Sequence, residues 1–269
     1  MKAENYLEIN KQAWNNQVPV HLDSDFYNMD GFLKGQNSVP KIDLDLLGNI
    51  EGKSILHLQC HFGQDSLSIA RMGAKVTGVD LSDKAIEKAK ELNKQLSLDA
   101  KFICADVYDT PNHLNEQFDI VYTSYGTIGW LPDLDKWAKV ISHFLKPNGK
   151  LVFVEFHPVI WMFDDNFTKI QYHYHNEKAI AEEHSGTYAE KDADIKTDYI
   201  GWNHSLAEVF QALLNNGLQI ESFKEYDYSN YNCFNETVEF EPGKFRIKHL
   251  ENKIPMMYSL TAVKNNFIF

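Results

Sequence analysis

One stretch constrains this chain more than any other: Ser54 to Asp80, SILHLQCHFGQDSLSIARMGAKVTGVD. Ile55, Leu56 and Leu58 make the short apolar run of a strand buried on both faces. Gly63 and Gln64 form a turn, and Asp65 or Ser66 is placed to cap the helix that follows. Val76 and Val79 lie on a second strand that ends in Asp80. Strand, tight turn, helix and strand in this order build a nucleotide site. The helix start offers unpaired N–H groups, and an acid one strand over can accept both hydroxyls of a ribose.

The alternation continues to residue 156. Apolar segments at 54–58, 75–80, 100–106, 118–124 and 150–156 are separated by amphipathic ones. Ile86, Ala89, Leu92 and Leu96 keep helical spacing after the cap Ser82. Leu134, Trp137, Ala138, Ile141 and Leu145 do the same, with Pro147-Asn148-Gly149 as the stop. This rhythm predicts an α/β fold, a doubly wound parallel sheet covered on both faces. Residues 1–50 read as an N-terminal cap segment, two helices or a helix and a loop, and 51–269 as the main domain. Within it, 160–200 breaks the rhythm with aromatics, His and acids, and strand-like alternation at Ile170, Tyr172 and Tyr174. It is expected to be an insertion acting as a lid over the strand ends. A helix resumes at Ser205, followed by strands near 218–228 and 256–264.

Bulk properties narrow the function. The net charge is -12, from 38 Asp and Glu against 26 Lys and Arg. Phosphate backbones need clustered Lys and Arg, so nucleic acid is not the expected partner. No apolar run reaches membrane-spanning length and the first residues lack a signal core, so a cytoplasmic protein with no membrane partner is expected. Cys60, Cys104 and Cys233 have no paired spacing and read as reduced thiols.

At this point the chain resembles the class I S-adenosylmethionine-dependent methyltransferases, over roughly 50–265. The resemblance rests on LHLQCHFGQ, on Asp80 in VTGVDLS, on Asp106 in CADVYD, and on FDIVYTSYGTIGWLPD leading to LKPNGKLVFVEFHP. It implies a Rossmann-like seven-stranded sheet with an antiparallel last strand, and S-adenosyl-L-methionine as cofactor. Asp80 would hold the ribose and Asp106 would read the adenine, with Leu81, Val107 and Ser124 beside them. Gly63, Gln64 and Asp65 would form the turn near the cofactor, with Cys60 contacting it through its backbone. Where the family has an acid this chain has His57, and where it has glycines this chain has Gln59 and His61. Gln59 and His57 are then expected near the methionine moiety. The same missing glycines argue against NAD or FAD, whose pyrophosphate needs GxGxxG at the helix start. Trp14 and Tyr27 are expected to close over the cofactor from the cap segment.

Methyl transfer is an in-line displacement, so alignment and desolvation are the protein's main contribution. A base is needed only for an acceptor that must lose a proton. His157, past the fifth strand, is the candidate base or substrate ligand, and Tyr125, past the fourth, is expected to line the methyl site. Trp202, Asn203 and His204 face the same rim. His173 and His175 are an H-x-H pair without a third ligand at fixed spacing, so no metal is expected. The chain is expected to be an enzyme that methylates a small molecule, as a monomer or homodimer. The alternative is a non-catalytic module that binds the cofactor or its demethylated product.

Overall fold

The computed structural model describes residues 3–265. The cap segment forms three α-helices, α1 (Tyr6–Asp23), α2 (Met29–Leu33) and α3 (Lys41–Leu47). The alternating region follows as β1 (Ser54–Leu58), α4 (Gln64–Arg71), β2 (Lys75–Asp80), α5 (Asp83–Gln95), β3 (Lys101–Cys104), α6 (Thr110–His113), β4 (Phe118–Ser124), α7 (Leu134–Phe144) and β5 (Leu145–Phe156). Then come β6 (Ile180–Ser185), β7 (Lys196–Gly201), α8 (Leu206–Asn215), β8 (Leu218–Tyr226), β9 (Thr237–Glu241), β10 (Lys244–Ile247) and β11 (Met257–Lys264).

Local chemistry accounts for most of the boundaries. Ser82 accepts a hydrogen bond from the Ala85 N–H, Asp133 from Lys136 and Ser205 from Glu208, each satisfying a free donor in a first turn. The start of α4 differs from expectation. Its N-cap is Gly63 at φ +76°, with Asp65 and Ser66 already inside the helix. The left-handed turn delivers the chain into the helix without a side-chain cap, and only glycine adopts it cheaply.

The main sheet has seven strands in the order β3-β2-β1-β4-β5-β11-β8. The first five are parallel, and β11 runs antiparallel to both β5 and β8. This is the Rossmann-like sheet expected from the sequence. One apolar core, with Trp137, Phe144, Phe153 and Leu213, fills the side of α7 and α8. A second, with Phe62, Ile69, Ile86 and Tyr122, fills the side of α4, α5 and the cap helices.

The region after β5 departs from its pattern. Residues 170–174 form no strand: one isolated bridge joins Phe163 to Ile170, and the Gln171 and Tyr172 N–H groups both donate to the Met162 carbonyl. Ile170 is 66% exposed. Alternation alone cannot hold a strand that has no neighbour and no core beneath it. The pairing lies later, where β6 and β7 make an antiparallel hairpin. A second hairpin, β9–β10, was not legible in the sequence. Asn10 of α1 joins the cap to the β6–β7 hairpin: its amide donates to the Ile200 carbonyl at 2.8 Å and accepts from the Ile200 N–H at 2.9 Å.

Candidate functional site

A cavity of about 840 Å³ opens at the C-terminal ends of β1, β2, β4 and β5. The cap helices, the loop after β5 and the β6–β7 hairpin complete its walls. Its lining includes Trp14, Tyr27, His57, Gln59, Cys60, Gln64, Asp65, Asp80, Leu81, Asp106, Val107, Ser124 and Tyr125, all expected from the sequence. Open sheets of this kind place their clefts at the strand ends, where the order reverses from β1 to β4.

At the turn end, Asp80 accepts from the His61 N–H at 2.7 Å and from the Ser82 N–H at 2.9 Å. Each oxygen keeps lone-pair capacity for a ligand hydroxyl. Burial pushes its carboxyl up to about 6, against those backbone donors. Burial also raises Asp106. Gln59 and His61 both stand in the left-handed region, at φ 56° and 51°. Gln59 donates to the Thr127 carbonyl at 2.8 Å, while its Oε1 is buried without a hydrogen-bond partner among the described residues. His57 meets Ser66 Oγ at 2.8 Å, and burial lowers its imidazole to about 3, so it is neutral. The Cys60 thiol is raised well above its usual range by burial, which rules against a thiolate. Gln64 donates to the Tyr27 carbonyl at 2.6 Å, and Asp65 accepts from Ser38.

Gly63 is not on the cavity wall. An added Cβ there would stand 2.7 Å from the Phe102 ring. The glycine adopts the left-handed turn and sits close against Phe102 of β3 and Ala89 of α5.

At the other end, Tyr125 lines the cavity but turns its hydroxyl to Asp43 Oδ2 at 2.6 Å, and accepts from Asn230 at 2.8 Å. His157 lies off the cavity wall. The chain turns at Pro158, and the His157 ring meets Glu225 of β8 at 2.9 Å. Its Nε2 is thereby engaged by a carboxylate of β8. Trp202, Asn203 and His204 do line the cavity. His204 is held between the Leu131 carbonyl at 2.7 Å and Glu208 at 2.9 Å. Of the H-x-H pair, His173 stands 3.6 Å from Glu177 and the His175 ring packs against Tyr174.

Three groups escaped sequence reasoning. His21 of α1 meets His61 at 2.9 Å, leaving His21 Nε2 and His61 Nδ1 buried without partners among the described residues. Tyr188 of the hairpin bonds the Tyr27 hydroxyl and packs on His21 with centroids 4.8 Å apart. Glu155, 1% exposed at the end of β5, accepts from the N–H groups of Gly126, Thr127, Ile128 and Phe156 and from the Thr127 hydroxyl. Only Glu155 carried a signal: an acid inside an apolar strand has to be fully bonded.

The sheet order, with its antiparallel strand β11, is that of the class I methyltransferase fold. Residues 55–149 match the family described as a methyltransferase domain. The match covers 95 of the 269 residues and marks that stretch as similar to a methyltransferase domain. It is 30% identical over 135 residues to a ubiquinone biosynthesis O-methyltransferase of Coxiella burnetii, covering 49% of this chain and 57% of that one. It is 35% identical over 104 residues to a sterol 4-C-methyltransferase of Caenorhabditis elegans, covering 38% and 30%. The chain thus spans little more than half the length of the curated relatives it matches first. Among solved structures, geranyl diphosphate C-methyltransferase of Streptomyces coelicolor superposes with TM-score 0.62 at 16% identity, over 98% of this chain and all of that one. An S-adenosylmethionine-dependent methyltransferase of Mesorhizobium loti gives 0.57 at 18% identity, over 86% and 99%.

Proposed function

We propose that this protein transfers the methyl group of S-adenosyl-L-methionine directly to a small-molecule acceptor inside the cavity, in the cytoplasm. The observation that carries the reading is the unpartnered, buried Gln59 Oε1 on the same wall as Asp80 and Asp106. A buried acceptor without a donor is costly, and a ligand ammonium would satisfy it. The cofactor's ribose is assigned to Asp80, its adenine to Asp106 with Leu81 and Val107, and its amino-acid end to Gln59 and His57. Cys60, Gln64, Asp65 and Ser124 complete that wall, with Trp14 and Tyr27 over it. Gln59 and His61 carry side chains where a dinucleotide fold has glycine, which argues against a pyrophosphate at the turn.

When bound, the cofactor supplies an electrophilic sulfonium methyl. The chain's own residues align and desolvate. Glu155 fixes loop 126–128 through its donors and so sets the wall that carries Tyr125. Tyr125, with its hydroxyl engaged by Asp43, offers a ring face to the acceptor. The 160–200 segment acts as the lid: Tyr188 and Asn10 tie the hairpin to α1 over the cofactor end and exclude water.

Calorimetry with S-adenosylmethionine, S-adenosylhomocysteine and NAD tests this. Micromolar binding of the first two and none of NAD is the expected result. Binding of NAD alone would overturn the assignment.

A further inference from the structure

We propose that the acceptor molecule carries an ammonium head on an apolar frame, received by Glu182 in an aromatic corner of the hairpin, the head being the recognition handle and another atom of the frame taking the methyl. This deepens, and rests on, the methyltransferase reading of the cavity. Glu182 on β6 and Tyr199 on β7 are direct partners in the hairpin register, and both line the cavity. The Tyr199 hydroxyl donates to Glu182 Oε2, and the His184 ring meets the same oxygen at 3.2 Å. Among the described residues nothing bonds Oε1. The Tyr199 ring stands edge-on to Trp130 with centroids 5.6 Å apart, and to His184 at 4.7 Å. The result is a carboxylate oxygen left open beside π faces, the arrangement that binds ammonium groups.

The charges agree. The hydrogen bond from His184 holds the Glu182 carboxyl below its usual range, so it stays ionised at neutral pH. Asp165, from the loop after β5, lines the cavity and adds a second negative charge that raises both His184 and Tyr199. The corner therefore stays net negative even with His184 protonated. Among the described residues, Lys191 alone of the Lys and Arg side chains lines the cavity. It is exposed, and its ammonium donates to the Phe234 carbonyl at 2.7 Å. A carboxylate or phosphate head in this corner would give up its water to face two carboxylates. Independently, Tyr258 lines the cavity fully buried, and its hydroxyl has no partner among the described residues. It supplies a polar contact for a second group on the acceptor frame.

Calorimetry on the full chain saturated with S-adenosylhomocysteine, comparing tryptamine with indole-3-propionate, is the test. The two probes share a ring and differ in the charge of the head. Tryptamine is expected to bind at least about tenfold more tightly. Glu182→Gln keeps the Tyr199 contact, and should bring the two probes within about threefold while S-adenosylhomocysteine affinity and melting temperature hold. Asp165→Asn, on an exposed loop, should narrow the gap in the same direction. Equal binding, tighter propionate, no binding of either probe, or a preference that survives both substitutions would overturn the proposal. If S-adenosylhomocysteine itself does not bind, the methyltransferase reading falls, and titration of the unloaded chain with the two probes still decides the charge of the corner.

Discussion

At the residue scale, two side chains decide the cofactor assignment. Asp80→Ala removes up to two hydrogen bonds to a charged acceptor, each worth roughly 1.5–3 kcal/mol. S-adenosylhomocysteine affinity should fall at least about tenfold by calorimetry. Unchanged affinity would place the ribose elsewhere. The pH dependence has a definite sign. The free protein's Asp80 titrates at about 6, raised by burial, and ligand hydroxyls favour the ionised form. Affinity should therefore weaken on acidification below about pH 6, by up to about tenfold per unit. For folding the sign is opposite: a raised carboxyl contributes stability below the unfolded value of 3.8 that is lost as pH rises through about 6. Gln59→Leu probes the amino-acid end. It should weaken S-adenosylhomocysteine by about fivefold to tenfold, one hydrogen bond's worth, yet leave 5′-methylthioadenosine, which has no amino-acid group, unchanged.

At the element scale, the β1–α4 turn and the loop after β4 are each held by one residue. Gly63→Ala would put a Cβ 2.7 Å from Phe102 in a left-handed turn. The conformation alone costs about 1–2 kcal/mol, and the overpacking about 1–3 kcal/mol more. The urea midpoint should drop by the equivalent, and a midpoint near wild type would show that α4 shifts freely on β3. Glu155→Leu leaves five donors without an acceptor. Breaking such a buried charge network costs about 3–5 kcal/mol, read as a lower melting temperature. Both elements were legible as a strand with a turn after it. The carboxylate's partners were not, because loop 126–128 reaches Glu155 only once β4 and β5 lie side by side.

At the scale of the whole molecule, α1 and the β6–β7 hairpin are joined. Asn10 bonds both backbone groups of Ile200, and Tyr188 reaches Tyr27 and His21. Asn10→Ala should leave the main sheet intact, but speed amide exchange across β6–β7 by roughly fivefold or more, since two hydrogen bonds to the strand are lost. Unchanged exchange would mean that the hairpin stands without the cap.

Periodicity and turn chemistry in the sequence determined the order of strands and helices, the apolar faces, and the placing of Asp80 and Asp106 at strand ends. Those are local properties: a buried strand reads as a run such as Ile55–Leu58, a helix as spacing such as Ile86, Ala89 and Leu92. The resemblance of the motifs added the antiparallel last strand. Tertiary structure alone decided that His157 turns to Glu225, that His21 meets His61, and that Tyr199 meets Trp130. Each of these pairs residues from separate elements, and their meeting depends on the angles at which the sheet, cap and hairpin pack. No spacing along the chain encodes those angles.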